Sequence, residues 1–115
     1  DFLASLESEY EKGPNFAGHF TVVSMGCGEH CEDLWVFDPT TGDFIANIRS
    51  LYGSQYSLDS KLLVVNLPSD EARAYYDNSK FSPYWSNLET QYYALEGHSL
   101  KQIFKASMSE FFSGN

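Results

Sequence analysis

Cys27 and Cys31 are the residues of this chain whose type and spacing point most directly to chemistry. Cysteines joined in a disulfide hold their Cα atoms about 4.4–6.8 Å apart, whereas four residues of extended strand span roughly 13 Å. A bridge therefore requires the chain to turn back between them, and Gly26 and Gly28 permit such a turn. We predict this disulfide, which would close a very short loop and stabilise the fold by about 2 kcal/mol.

Two other chemistries stay open at the same place. A zinc site would use Cys27, Cys31 and His30, with His19 as a further ligand, although structural zinc sites usually contain more closely spaced cysteine pairs. A nucleophilic Cys27 would take His19 or His30 as its base, but in an oxidising compartment the second cysteine would capture the thiolate. Outside these roles we expect His19 to be a core or loop-bridging histidine, and His98 to be a solvated turn residue.

The rest of the chain contains no specific catalytic motif. The glycines at positions 26 and 28 lack a following helix and a lysine, so they do not form a phosphate-binding loop. The serines near position 57 lack the G-x-S-x-G pattern of a nucleophile elbow. Adjacent acids such as Glu32 and Asp33 are more typical of turns than of catalytic pairs. We therefore predict a protein that is not an enzyme and that uses no cofactor and no metal.

Aromatic residues crowd into one segment, 68–88, which contains no clear strand. A short helix is predicted to begin there after Ser69, with acidic residues in its first turn. Tyrosine and tryptophan are enriched at binding hot spots, and carboxylates beside them suit a basic partner. In the alternative, the rings fold inward and cap the sheet. The candidate partner-binding residues are Asp70, Glu71, Tyr75, Tyr76, Phe81, Tyr84 and Trp85.

Composition limits the size of the fold and the kinds of partner. The chain has 115 residues, which suit a single domain over 1–115, and 43% of them are hydrophobic. Its 16 acidic and 7 basic residues leave a net charge of −9, which repels nucleic acid and anionic lipid and favours a protein partner that is basic or has a deep cleft. No apolar run approaches the roughly 20 residues that span a bilayer, so we expect no membrane span.

The elements that must position these residues are mainly strands. Residues 1–12 have the apolar spacing of a short helix, and residues 14–67 and 89–105 have the alternation and tight turns of an antiparallel β-meander of about seven strands. Turns are predicted at 38–42, 59–60 and 96–98, and a short helix at 107–112. Leu62–Val65 should be a central strand that is covered on both faces, because it is apolar at every position. The predicted fold class is all-β, with a short N-terminal helix and a helical excursion at 68–88.

The motif GPNFAGH at Gly13–His19, followed by Gly26-Cys27-Gly28 and then Cys31, resembles a group of small, mostly uncharacterised bacterial exported proteins. The hairpin SLDSKLLVV at Ser57–Val65 is also similar to the hairpins of β-propeller blades. The resemblance implies an exported all-β domain that is partly blade-like. It also implies a leader, either a signal peptide or a lipoprotein signal that carries a lipid anchor, which is missing from this chain.

Export, size, acidity and the aromatic segment together suggest a function. We predict a non-enzymatic periplasmic binding module. In its most concrete form it is an immunity-type or inhibitor protein that blocks a secreted enzyme, such as a cell-wall hydrolase toxin. One alternative is a small hydrolase or redox enzyme that uses Cys27 and His19. Another is a structural subunit of a cell-envelope complex.

Overall fold

A computed structural model describes residues 2–28, 31–68, 70, 72–74 and 88–112 of the chain. Within them the chain forms mainly antiparallel strands with short helices at its two ends, which confirms the predicted all-β fold class. The elements are α1 (Phe2–Glu11), β1 (Thr21–Gly28), β2 (Cys31–Asp38), β3 (Asp43–Ser50), β4 (Ser54–Gln55), β5 (Leu62–Val65), β6 (Glu89–Glu96), β7 (Ser99–Ser107) and α2 (Met108–Phe112).

The strands form two sheets, and within each sheet the strands that follow one another in the chain pair with each other. The first sheet has the order β1-β2-β3 and the second the order β4-β5-β6-β7, with antiparallel pairing throughout. Short connections favour this arrangement, because a parallel crossover needs a dozen or more residues. The second sheet is a four-stranded antiparallel meander, which is the connectivity of a propeller blade. Leu62–Val65 is a central strand, as predicted, but it is not covered along its whole length, because Leu62 is exposed while Leu63, Val64 and Val65 are buried.

A shared hydrophobic core joins the two sheets. Alternation along β2 places Leu34 and Val36 on the inner face, because successive side chains of a strand point to opposite faces. Their partners from the second sheet and from the loop before β1 are also buried. The buried core residues are Phe16, Phe20, Val22, Leu34, Val36, Leu63, Val65 and Leu95.

Helix α1 lies against the first sheet. Its Tyr10 ring meets Phe37 of β2 edge to face, with ring centroids 6.0 Å apart, and the Tyr10 hydroxyl donates to the Pro39 carbonyl at 3.3 Å. An isolated helix of this length is marginal in water, so packing on the sheet stabilises it. Among the described residues, no helix has both the length and the apolar character needed to cross a membrane.

The structure differs from the predicted meander at two places. The predicted meander starts at residue 14, but strand β1 begins only at Thr21, because Ala17 and Gly18 adopt positive φ angles of 52° and 90° and interrupt extended structure. The predicted tight turn at 59–60 is instead a longer connection from residue 56 to residue 61, with its bend at Leu58-Asp59. The two irregular segments bind each other, since the Gly18 N–H donates to the Leu58 carbonyl at 2.7 Å.

Asn66 is a buried polar residue that ties the end of β5 to neighbouring segments. Its side-chain oxygen accepts from the N–H groups of Leu51 at 2.7 Å and Tyr52 at 3.0 Å. Its side-chain amide donates to the Glu89 carbonyl at 2.7 Å, and its own carbonyl accepts from the Thr90 hydroxyl. Its φ of 58° is left-handed, a conformation that asparagine tolerates better than most residues.

Candidate functional site

A buried carboxylate with two histidines forms the clearest cluster of chemically capable side chains in the described part of the chain. Asp38 ends β2, and its side chain is only 3% exposed. The His98 Nε2 lies 2.9 Å from Asp38 Oδ2, and the His19 Nε2 lies 3.5 Å from Asp38 Oδ1. Both imidazoles are about half-exposed, at 53% for His19 and 54% for His98. One buried anion therefore contacts two solvent-accessible rings.

The turn after β2 fixes the Asp38 carboxylate. The Thr40 N–H donates to Asp38 Oδ1 at 2.9 Å, and the Gly42 N–H donates to the Asp38 carbonyl at 2.7 Å. Gly42 takes a φ of 79°, which a residue without a side chain adopts at no steric cost. Burial alone would raise the pKa of Asp38. The Thr40 hydrogen bond and the charges of His19 and His98 outweigh burial, so the pKa is lowered and the carboxylate stays ionised at neutral pH.

The GPNFAGH segment positions His19. Asn15 pairs with Val22 through its side chain, which donates to the Val22 carbonyl at 2.9 Å and accepts from the Val22 N–H at 2.7 Å. The Ala17 N–H donates to the carbonyls of Ser57 and Ser60, in the connection that precedes β5. The loop is thus held to both sheets. His19 itself connects the loop to Asp38 at the end of β2, which is the predicted loop-bridging role.

His98 reaches Asp38 from the second sheet. It occupies the two-residue turn Gly97-His98 between β6 and β7, where Gly97 has a φ of 62°. His98 is the exposed turn residue that the sequence predicts, but it has a further role that was not predicted, because its Nε2 is paired with Asp38 across the two sheets. Local patterns could not reveal this cluster, since its three residues are far apart in sequence and Asp38 by itself has the pattern of an ordinary turn residue.

A cleft of about 410 Å³ opens beside the two histidines. Lys61 lines it from the segment before β5, and Phe20 lies between the imidazoles, with its ring centroid 4.2 Å from that of His19 and 5.9 Å from that of His98. Ala17 and Leu95 add apolar wall. The cleft therefore combines cationic or titratable nitrogens with an apolar surface.

The two cysteines form the predicted disulfide. Cys27 and Cys31 are bonded with their Cα atoms 5.0 Å apart, within the range that a bridge requires. Gly28 pairs with Cys31 in the β1–β2 register, and its φ of 134° is open to glycine. Both sulfurs are bonded, so neither offers a thiolate as nucleophile or metal ligand. No three His, Cys, Asp or Glu side chains among the described residues are arranged to hold a metal ion.

The predicted partner-binding residues mostly lie outside the described residues. Asp70 is an exposed helical residue, and residues 72–74 are also helical, in agreement with the predicted short helix. Ala72 is buried together with Tyr52 and Met108. The N-cap Ser69 and the candidates Glu71, Tyr75, Tyr76, Phe81, Tyr84 and Trp85 lie outside the described residues, as does His30.

Several basic side chains are already paired with acids. Arg49 binds Asp33 in a two-pronged contact, with distances of 2.9 Å and 3.0 Å, and this arginine lowers the pKa of Asp33. Three lysines are also paired with glutamates. The pairs are Lys12–Glu9 at 2.9 Å, Lys101–Glu96 at 3.4 Å and Lys105–Glu89 at 3.7 Å.

The chain matches no model of a protein family, no curated protein and no solved structure. What the site can do follows from its own residues. Imidazoles oriented by a buried carboxylate serve as hydrogen-bond donors or as proton acceptors, according to their protonation. Beside Lys61 they form a set of donors suited to an anion.

Proposed function

We propose that this chain is a non-enzymatic, exported binding module that inhibits a secreted enzyme by inserting a disulfide-closed hairpin tip into its cleft. The observation that carries the proposal is the disulfide at the end of the β1–β2 hairpin. Cys27 and Cys31 enclose only Gly28, Glu29 and His30 between them. The tip is therefore closed into a small covalent ring.

The tip stands away from the core. Strand β1 starts with the buried residues Thr21, Val22 and Val23 and ends with the exposed residues Gly26, Cys27 and Gly28. A segment that is exposed yet covalently restrained has already lost much of its conformational freedom, so less entropy is lost when it binds. Enzyme inhibitors commonly bind in this way, with little change of backbone on association.

The charge of the chain supports a basic partner. The net charge is −9, and several of the few basic side chains are engaged by Asp or Glu neighbours. An acidic surface attracts a basic protein over a distance of about one Debye length and speeds its association. Such a partner would be a basic cell-wall hydrolase, and the chain would act as its immunity-type inhibitor.

The bridge also supports a location outside the cytoplasm. Disulfides form and persist in oxidising compartments such as the periplasm, whereas cytosolic thiols are kept reduced. The motifs at Gly13–His19 and Gly26–Cys31 resemble those of exported bacterial proteins, which agrees with this location. We also propose that this chain contacts the same partner through a second region. It consists of Tyr75, Tyr76, Phe81, Tyr84 and Trp85, with Asp70 and Glu71.

The proposal is tested by titrating the oxidised chain into a panel of purified basic peptidoglycan hydrolases and measuring the clearing of cell-wall suspensions. We expect at least one hydrolase to lose activity at one equivalent of the chain, with weaker inhibition as salt is raised, because salt screens the charge attraction. The chain alone should not clear the suspension.

Two variants separate the proposed contacts. The tip variant Cys27→Ser/Cys31→Ser should inhibit less well, and Tyr84→Ala/Trp85→Ala should weaken inhibition by removing aromatic anchors. If no hydrolase is inhibited, or if clearing activity resides in the chain itself, the proposed function is wrong.

A further inference from the structure

We infer that the cleft between the loop 13–20 and the β6–β7 turn binds an anionic group, a carboxylate or a phosphate, carried on a small organic molecule with an apolar or aromatic part. Nothing in the proposed inhibitory function requires this site, which lies at His19, His98 and Lys61 rather than at the disulfide tip. It is a ligand site in its own right.

Asp38 orients the two imidazoles before a ligand binds. The carboxylate lies 2.9 Å from His98 Nε2 and 3.5 Å from His19 Nε2, and it is nearly inaccessible to solvent. Engaging Nε2 leaves Nδ1 as the nitrogen of each ring that is available to a ligand. Side chains fixed before binding lose little rotamer entropy when a ligand arrives. Asp38 is therefore a positioning residue for this site.

Lys61 supplies a cation that no carboxylate of the described residues neutralises. It lines the cleft and is exposed, and it takes part in none of the ion pairs found among these residues, whereas Lys101 and Lys105 each lie beside a glutamate. When both imidazoles are protonated, the positive charges of His19, His98 and Lys61 exceed the single negative charge of Asp38. The local charge is then opposite to that of the whole chain, and this favours an anion.

The other charged groups near the cleft do not reverse this balance. Glu96 ends β6 next to the turn, but it is exposed and pairs with Lys101 at 3.4 Å. Asp38 is the buried counter-ion from β2, His19 comes from the loop, His98 from the turn and Lys61 from the segment before β5. The anion would therefore meet three nitrogen groups from three separate segments.

The shape of the cleft indicates the rest of the ligand. Phe20 is buried beside the imidazoles, with its ring in contact with both, and Ala17 and Leu95 line the wall. A volume of about 410 Å³ falls within the range of small-molecule pockets, roughly 300–1,000 Å³. An apolar ring beside the anionic group would pack against Ala17 and against the small parts of Phe20 and Leu95 that line the cleft, while the nitrogens bind the charge.

The test is a side-chain NMR titration of the histidine ring resonances of the oxidised chain. The probes are inorganic phosphate, acetate, phenyl phosphate and benzoate, added at about pH 6 and about pH 8, which lie on either side of the ordinary imidazole pKa of about 6.5. We expect saturable shifts of the His19 and His98 resonances, with half-saturation below about 1 mM for a ring-bearing probe at about pH 6. Binding should be weaker at about pH 8. The phosphate and carboxylate arms decide which anion is preferred.

Two exposed lysines give a matched pair of variants. Lys61→Met should weaken binding about tenfold, since it removes a charged hydrogen-bond donor, whereas Lys105→Met should leave binding unchanged. The same charge is lost in both variants, so a general effect of net charge would affect them equally. The inference is overturned if no probe gives saturable shifts below about 1 mM. It is also overturned if Lys61→Met and Lys105→Met bind the probe with the same affinity.

Discussion

At the scale of single residues, the candidate site depends on a nearly inaccessible carboxylate that holds two half-exposed imidazoles from different segments. Asp38 accepts the Thr40 N–H at 2.9 Å and lies 2.9 Å from His98 Nε2. A buried charge without partners would be strongly unfavourable, so the partners explain how Asp38 is tolerated at the end of β2. The same contacts give the fold a dependence on pH.

Asp38→Asn should reduce the sensitivity of the fold to acid. The pKa of Asp38 is lowered in the folded state, so the unfolded chain binds the proton more tightly and the contribution of Asp38 to stability is lost as pH falls through the folded pKa. That contribution is present above the unfolded pKa of about 3.9. Urea unfolding between about pH 6 and about pH 2.5 should show a shallower fall in unfolding free energy for Asp38→Asn than for the native chain. Equal slopes would contradict the role assigned to Asp38.

Gly18→Ala should destabilise the fold through backbone strain alone. Gly18 has a φ of 90° and no heavy atom lies within 4 Å of the position that a Cβ would take, so the cost is that of a left-handed L-residue, about 1–2 kcal/mol. Gly26→Ala is the matched control. Gly26 has similar open space without a left-handed φ, and its change should stay within about 0.5 kcal/mol. Denaturant unfolding measures both, and equal losses would mean that strain at Gly18 is not the cause.

Sequence patterns predicted some residue roles and missed others. The disulfide followed from two cysteines four residues apart, with turn-forming glycines on both sides of Cys27, which is local information. The pairing of Asp38 with His98 could not be predicted, because it depends on how the second sheet packs on the first. Nothing close to either residue in the sequence signals the other.

At the scale of elements, Asn66 joins the end of β5 to β6 and to the segment after β3. Asn66→Ala would leave the N–H groups of Leu51 and Tyr52, and the Glu89 carbonyl, without their partner. Unsatisfied buried groups cost about 1–3 kcal/mol each. Tyr52 is buried, whereas Leu51 and Glu89 are only partly buried and their freed groups are accessible to water. The full penalty therefore applies to one group, and we expect a total loss of about 2–4 kcal/mol in the free energy of unfolding.

Asn47→Ala is the control for this prediction. The Asn47 side chain also donates to a backbone carbonyl, that of Leu34 at 3.1 Å, but Asn47 is exposed. Water can replace its partner, so the loss should stay below about 1 kcal/mol. Denaturant unfolding that gives equal losses for Asn47→Ala and Asn66→Ala would show that Asn66 does not connect these elements as described.

Removing the disulfide should cost the β1–β2 hairpin a modest amount of stability. In the chain-entropy account, closing a loop of this length stabilises by about 2 kcal/mol, so Cys27→Ser/Cys31→Ser should unfold with a free energy lower by about that amount. Reduction of the native chain with dithiothreitol should give the same loss. Unchanged stability in both measurements would mean that the bridge restrains the tip without stabilising the fold.

Local alternation predicted most strands, and non-local hydrogen bonds account for the errors. Strands β2 and β3 lie on either side of the turn predicted at 38–42, and β6 and β7 lie on either side of the turn predicted at 96–98. The segment Phe16–Phe20 is rich in strand-forming residues, yet Ala17 and Gly18 are left-handed there. Their N–H groups bind carbonyls of the 57–60 segment, and such contacts between distant segments leave no local signal.

At the scale of the whole molecule, two antiparallel meanders share one core and place two features apart from it. One is the closed hairpin tip at Cys27–Cys31, and the other is the cleft at His19, His98 and Lys61. The strongly negative chain carries both. The tip supports the proposed inhibition of a basic enzyme, and the cleft supports the inferred binding of a small anion.

Isothermal titration calorimetry with a hydrolase that the oxidised chain inhibits is the most direct test of the proposed function. The account predicts a one-to-one complex whose affinity falls about tenfold in folded Cys27→Ser/Cys31→Ser, because the freed tip must be ordered on binding. Gly18→Ala, with a similar loss of stability elsewhere, should keep the native affinity. The native chain and the tip variant could instead bind with equal affinity, or Gly18→Ala could weaken binding as much as the tip variant does. Either result would contradict the claim that the disulfide-closed tip forms the binding element.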